Sequence, residues 1–221
     1  MLATTRPRIK VCCISSVHEA WTAIRAGASA LGLVSAMPSG PGVMSDALIA
    51  EVAAAAPPGI ATFLLTAALD AETIIAQQRR ARVNTLQLVD AVPHAEIARV
   101  RAALPGIGIV QVIHVVGPES VEEAVAVSSL VDAILLDSGN PALTVKELGG
   151  TGRVHDWALS RRIREAVPVP LYLAGGLRPD NVAEAVARVG PFGLDVCSGI
   201  RAGGALHADK LARLVAAARG A

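Results

Sequence analysis

Eight short apolar runs, each followed by a longer run of helical periodicity, constrain this chain more than any other feature. The short runs cover residues 9–14, 30–34, 60–65, 85–88, 108–114, 133–137, 169–173 and 192–197. The longer ones cover 18–26, 46–56, 71–81, 94–103, 120–128, 157–166, 181–189 and 208–218. Strands that read as near-continuous apolar stretches are buried on both faces, as in parallel sheets covered by helices. Eight strand–helix units, with no linker, low-complexity segment or shift in composition, predict an α/β chain forming a single (β/α)8 TIM barrel over residues 1–221. A doubly wound open sheet is the competing arrangement. The even spacing of the units and the glycine corners that end the last two strands favour the closed barrel.

Those corners also point to a ligand. In Leu171 to Val182 a short buried strand runs into Gly175-Gly176 and then into a helix, with Pro179 suited to its first turn and Asp180 and Asn181 to its start. Adjacent glycines let backbone N–H groups approach a ligand, and a helix N-terminus behind them favours an anion. A second corner, Asp195-Val-Cys-Ser198-Gly199, follows one unit later. Consecutive corners of this kind match the phosphate site that such barrels build after their seventh and eighth strands.

Composition narrows the field. The chain is 52% hydrophobic but only 2% aromatic, so its core is aliphatic and offers no platform for stacking bases. A formal charge of +1 provides no broad attraction to nucleic acid or to an anionic membrane. The three cysteines, Cys12, Cys13 and Cys197, lack the spacing of a zinc site or a disulfide framework, which suits a reducing cytoplasm. The N-terminus has no apolar signal core, and the apolar stretch 48–71 is interrupted by Glu51, Pro57-Pro58-Gly59 and Asp70. It reads as helix, turn and strand rather than a membrane span. The expected partner is a small phosphorylated molecule, with no metal, and the chain is expected to be a monomer or homodimer.

In this architecture reactive groups lie at the C-terminal strand ends. Alternation along the first strand puts Lys10 and Cys12 on one face and Val11 and Cys13 on the other, which aims Cys12 into the barrel mouth. The sixth strand ends in Asp137, a carboxylate that is costly after an apolar run unless solvated, paired or used. The segment 138–156 is Gly-rich and longer than an ordinary βα connection, as a substrate-covering loop would be. Asp156 reads as a helix cap before Trp157, His155 as a neighbour able to assist chemistry, and His114 as a satisfied polar residue at the end of the fifth strand. His18, His94 and His207 read as solvated at helix edges.

Taken in order, these motifs resemble the phosphoribosylanthranilate isomerase family of tryptophan synthesis over nearly the whole chain. The family's Lys-x-Cys-Gly-Ile-Thr corresponds to Lys10-Val-Cys12-Cys13-Ile14-Ser15, and its Ala-Gly-Ala-x-x-Leu-Gly to residues 26–32. Leu-Leu-Asp is Leu135-Leu136-Asp137, and Gly-Gly-Thr-Gly-x-x-Phe-Asp-Trp is Gly149 to Trp157 with His155 for the Phe. Ala-Gly-Gly-Leu-x-Pro-x-Asn-Val is Ala174 to Val182, and Asp-Val-Ser-Ser-Gly is Asp195 to Gly199 with Cys197 for the first Ser. The resemblance implies an aldose–ketose isomerase that carries out an Amadori rearrangement of a phosphoribosyl amine without metal or organic cofactor. It implies Asp137 as the general acid toward the ring oxygen and Cys12 as the general base toward C2. Gly150, Gly152, Gly175, Gly176, Ser198 and Gly199 would hold the phosphorylated substrate.

Three positions depart from the family pattern. Gly42 stands where an Arg grips the anthranilate carboxylate, Val89-Asp90 replaces His-Gly after the fourth strand, and Cys13 replaces the Gly after Cys12. Losing the Arg removes a charge-assisted contact of about 1.5–3 kcal/mol, and Asp90 would repel a carboxylate if it faced the mouth. Three readings follow. The carboxylate anchor has moved, with Arg153 a candidate; or the chain acts on a different phosphosugar amine; or it only binds a phosphorylated ligand.

Overall fold

β1 (Arg8–Val11), β2 (Ala30–Val34), β3 (Ala61–Thr66), β4 (Thr85–Leu88), β5 (Gly108–His114), β6 (Ala133–Asp137), β7 (Leu171–Leu173) and β8 (Gly193–Val196) pair in order, all parallel, and β8 closes on β1. This computed structural model describes residues 6–140 and 142–220. Residues 1–5 of the N-terminal stretch, Pro141 of the long loop and Ala221 lie outside them. Each strand is followed by its helix: α1 (Val17–Arg25), α2 (Asp46–Ala55), α3 (Ala71–Ala81), α4 (His94–Ala103), α5 (Glu119–Ser128), α6 (Trp157–Ala166), α7 (Val182–Val189) and α8 (Ala208–Arg219). The barrel is therefore a (β/α)8 closure and not an open sheet. Among the described residues no helix is long and apolar enough to cross a membrane.

Strand alternation divides the core into two layers. Ile9, Val11, Leu31, Leu33, Ile134, Leu136, Leu194 and Val196 join the helices in the outer layer. Ala30, Phe63, Val110, Ala133 and Leu135 fill the interior, and Cys12 joins them. Period-2 parity then turns Lys10, Asp137 and Asp195 inward. Helix starts follow local chemistry: Ser45, Asp70 and Asp156 accept from Leu48, Thr73 and Ala158 N–H at 3.3, 2.8 and 2.7 Å.

Two boundaries differ from the sequence expectation. β1 ends at Val11, not at residue 14, because Cys13 adopts a left-handed φ of 60° and turns the chain. The same turn sends Cys13 into the inner layer, where simple alternation had it facing the helices. Nor does Pro179 open a helix. α7 starts at Val182, because Asn181 closes a turn instead, accepting from Arg178 N–H at 2.8 Å and donating to Gly176 O at 3.0 Å.

At the β1–β8 seam Lys10 and Asp195 are register partners, and Lys10 Nζ lies 2.8 Å from Asp195 Oδ1. The ammonium also sits 5.3 Å from the Phe63 ring centroid. Burial works against its charge, but Asp195 and then the Cys12 sulfur hold it more firmly protonated than an ordinary lysine. Lys10→Met should cost roughly 3–5 kcal/mol in urea unfolding by leaving Asp195 unpaired, and Lys10→Met/Asp195→Leu should recover most of that loss.

Candidate active site

A cavity of about 650 Å³ opens at the C-terminal strand ends. Cys12, Asp137, Gly150, Gly152, Gly175, Gly176 and Ser198 all line it. Chain positions spread over the first, sixth, seventh and eighth units thus meet at one mouth, as barrel closure requires. Gly199 is the exception and does not line the cavity. A Cβ there would collide with Leu177 O, so this glycine packs the eighth corner against the seventh.

Cys12 lies just beyond β1, with its N–H donated to Val196 O at 2.8 Å. Room for its thiol comes from Gly32, where a Cβ would stand 2.8 Å from Cys12 Sγ and 3.1 Å from Lys10 Nζ. Asp137 Oδ1 accepts the Ser138 N–H at 2.7 Å, and a Cβ at Gly149 would lie 2.7 Å from Oδ2. Burial pushes the Asp137 carboxyl above its ordinary value, with the Ser138 N–H pulling the other way. A carboxyl tuned in that direction keeps its proton nearer to neutrality, as a general acid must.

The segment after β6 lies over this mouth. Ser39 Oγ donates to Lys146 O at 2.5 Å, and Gly150 packs so closely on Pro41 that a Cβ would stand 2.5 Å from its Cδ. On the other side Ser138 Oγ meets Thr151 Oγ1 at 2.7 Å, and a Cβ on Gly176 would be 2.8 Å from Gly152 O.

The histidines stay out. His114 Nε2 lies 3.0 Å from Val89 O, and His155 Nε2 lies 2.8 Å from Ser160 Oγ. Neither lines the cavity. Burial lowers the His155 pKa to about 4, so it is neutral near pH 7 and packs beneath Gly175. Arg153 pairs with Glu147 and does not line the cavity. Asp90 is neutralised by Lys146, with Nζ 2.5 Å from Oδ2, and is likewise outside the lining.

Two departures from the family pattern prove to be one. Gly42 has φ +82°, and a Cβ there would stand 2.6 Å from Cys13 Cβ and 3.0 Å from Cys13 Cα. Cys13 therefore occupies the space that a side chain at 42 would need. Arg201 escaped the sequence reading. It pairs with Glu19 at 2.8 Å and donates to the Cys12 and Cys13 carbonyls, fixing both cysteines from beneath. Glu19 in turn accepts from Ser15 N at 2.6 Å and Leu206 N at 2.8 Å. Its only sequence signal was a basic residue just past a glycine corner.

Comparison with known proteins decides the lineage. The family model for N-(5'-phosphoribosyl)anthranilate (PRA) isomerase matches residues 9–217. The chain belongs to this family. N-(5'-phosphoribosyl)anthranilate isomerase 2 of Methanosarcina mazei is 37% identical over 88% of this chain and 85% of its own length. The Haloferax volcanii isomerase is 36% identical over 96% of this chain and 93% of its own. Among solved structures, the phosphoribosyl anthranilate isomerase of Thermotoga maritima superposes with a TM-score of 0.83 at 26% identity, covering 97% of this chain and all 100% of its own. PRA isomerases are intramolecular oxidoreductases that interconvert an aldose and a ketose, and this chain is an enzyme of that class.

Two outcomes test this geometry. Gly42→Ala should be destabilising by about 1–3 kcal/mol from overpacking and left-handed strain. In a Cys13→Gly background it should cost measurably less, a coupling of about 0.5–3 kcal/mol in a double-mutant cycle. For His155, the unfolded chain takes up the extra proton between its ordinary 6.5 and about 4. Stability should therefore fall as pH drops through that window, and His155→Gln should flatten the slope of ΔG against pH.

Proposed function

We propose that this chain catalyses the Amadori rearrangement of a phosphoribosyl arylamine, with Asp137 as general acid and Cys12 as general base. The observation that carries this reading is the convergence of an inward Cys12 and a proton-retaining Asp137 on one cavity rimmed by the glycine corners. Asp137 protonates the furanose oxygen, the ring opens, and the nitrogen lone pair forms an iminium at C1. Cys12, as thiolate, removes the C2 proton to give an enolamine. Protonation at C1, with loss of the C2 hydroxyl proton, then leaves an amine at C1 and a ketone at C2. Lys10, held by Asp195, shares the Gly32 recess with the Cys12 sulfur. The phosphate lies against Gly152, Gly175, Gly176 and Ser198, so that binding energy is collected away from the reacting carbons.

One observation favours a second reading of the substrate. Among the described residues lining the cavity none is cationic, and Val34, Met37, Pro41, Leu65 and Leu148 supply an apolar side. An aglycone without a carboxylate suits that surface better than anthranilate, since an unpaired carboxylate is costly to desolvate. A direct comparison of phosphoribosylanthranilate with phosphoribosylaniline, following disappearance of the arylamine substrate, separates the two. Equal or higher kcat/KM for the aniline compound supports the uncharged aglycone, and a strong preference for anthranilate overturns it. For the chemistry itself, Cys12→Ala and Asp137→Asn should each lower kcat by about 10²–10⁴ while binding of a ribulose-phosphate product analogue persists. Full activity in either variant removes the acid–base assignment.

A further inference from the structure

Two thiols at the mouth have no part in that chemistry. Cys13 Sγ and Cys197 Sγ stand 2.9 Å apart, on corners from opposite ends of the chain. The β1–β8 ladder brings those corners together, with Val11 paired to Val196 and Cys12 N–H donated to Val196 O. Cys13 and Cys197 both line the cavity that a small solute enters. Cys13 is held there by its left-handed backbone and by Arg201 on its carbonyl, and its Sγ lies 3.6 Å from Pro41 O.

We propose that Cys13 and Cys197 form a dithiol modification site that reacts with hydroperoxides to give a disulfide across the β1–β8 seam, reversibly switching the isomerase off. The bond requires the sulfurs to close from 2.9 Å to about 2.05 Å, a shift that side-chain rotation and small corner movements accommodate. The two thiols are unequal. The hydrogen bond shared with Cys13 and the charge of Arg201 draw the Cys197 pKa below its ordinary value, against burial and Asp195. The neighbouring Cys12 sulfur, then Cys197, push Cys13 upward. Cys197 is also the less buried of the two, and it serves as the attacking thiolate.

The Cys197 sulfur attacks the peroxide's terminal oxygen and breaks the O–O bond. It becomes a sulfenic acid, while the peroxide, taking up a proton, leaves as an alcohol, or as water from hydrogen peroxide. The Cys13 sulfur then attacks the sulfenic sulfur. The S–S bond forms and the hydroxyl leaves as water with the Cys13 proton. Two thiols are oxidised by two electrons in all, and one peroxide is reduced. The bridge pulls on the residue after Cys12 and on the residue before Ser198. Displacements near 1 Å at a reacting geometry cost about 10²-fold in rate.

The switching half of this proposal rests on the isomerase reading; the cross-link does not. The full chain, first reduced, is treated with one equivalent of hydrogen peroxide, alkylated and digested with trypsin. The expected product joins peptides 11–25 and 189–201 with the loss of two hydrogens, and titratable thiols fall from three to one. The link should persist in Cys12→Ala and vanish in Cys13→Gly and in Cys197→Ser. Turnover of the wild type should drop at least tenfold and return with dithiothreitol. Cys13→Gly and Cys197→Ser, each referred to its own reduced rate, should be insensitive. A bridge between Cys12 and Cys13, oxidation confined to Cys12, or equal peroxide sensitivity in Cys197→Ser overturns the site. A Cys13–Cys197 link with unchanged turnover overturns the switch. Absence of turnover in the reduced wild type counts against the isomerase reading and leaves the peptide and thiol measurements to decide the site.

Discussion

The pairing of Lys10 with Asp195 is the interaction on which the rest of this structure depends. A fully buried ammonium is stable only beside a carboxylate, and parallel register puts that carboxylate on the neighbouring strand at the same level. Since the two strands are the first and the last, the pair marks the seam where the barrel closes. It also forms part of the cavity floor, since Asp195 lines the cavity and Lys10 shares the Gly32 recess with the Cys12 thiol. Closure, interior charge and the position of the sulfur thus meet at one contact.

Above that floor the mouth has been rebuilt as a unit. Cys13 in a left-handed conformation fills the space beside Gly42, and Arg201 donates to the Cys12 and Cys13 carbonyls while pairing with Glu19. The loop after β6 is fastened to the second corner through Ser39 and Pro41 and to the seventh through Gly176. These contacts leave an apolar side to the cavity where the family pattern has a cation. Asp90, which looked like a further obstacle to an anionic ligand, is neutralised by Lys146. Cys12, Asp137 and the glycine corners of the family pattern are all present at this mouth; the Arg of its second loop is not.

Much of this was legible from local rules. Period-2 parity was enough to turn Cys12 inward, and the acid closing an apolar run marked Asp137. Helix starts at Asp46, Ala71 and Trp157 sit behind the side-chain caps Ser45, Asp70 and Asp156, and the start at His94 followed from apolar periodicity alone. The misreadings share one cause, a backbone turn or a specific contact that alternation and helical periodicity do not register. Cys13 departs from alternation because its backbone leaves the extended region. Pro179 stays outside the helix because Asn181 bonds back to Gly176. Gly199 serves packing against Leu177 rather than lining the cavity. Arg153 looked available until Glu147 claimed it.

The sequence by itself determined the eight strand–helix units and their order, the inward face of the first strand and the residue types at the strand ends. Those depend on backbone propensity and burial of apolar side chains, which act over a few residues. Tertiary structure alone decided which strand ends meet, which charges are cancelled and which sulfurs touch. Cys13 and Cys197 are 184 positions apart and become neighbours only when β8 pairs with β1. No local pattern encodes a contact that exists only because the barrel closes.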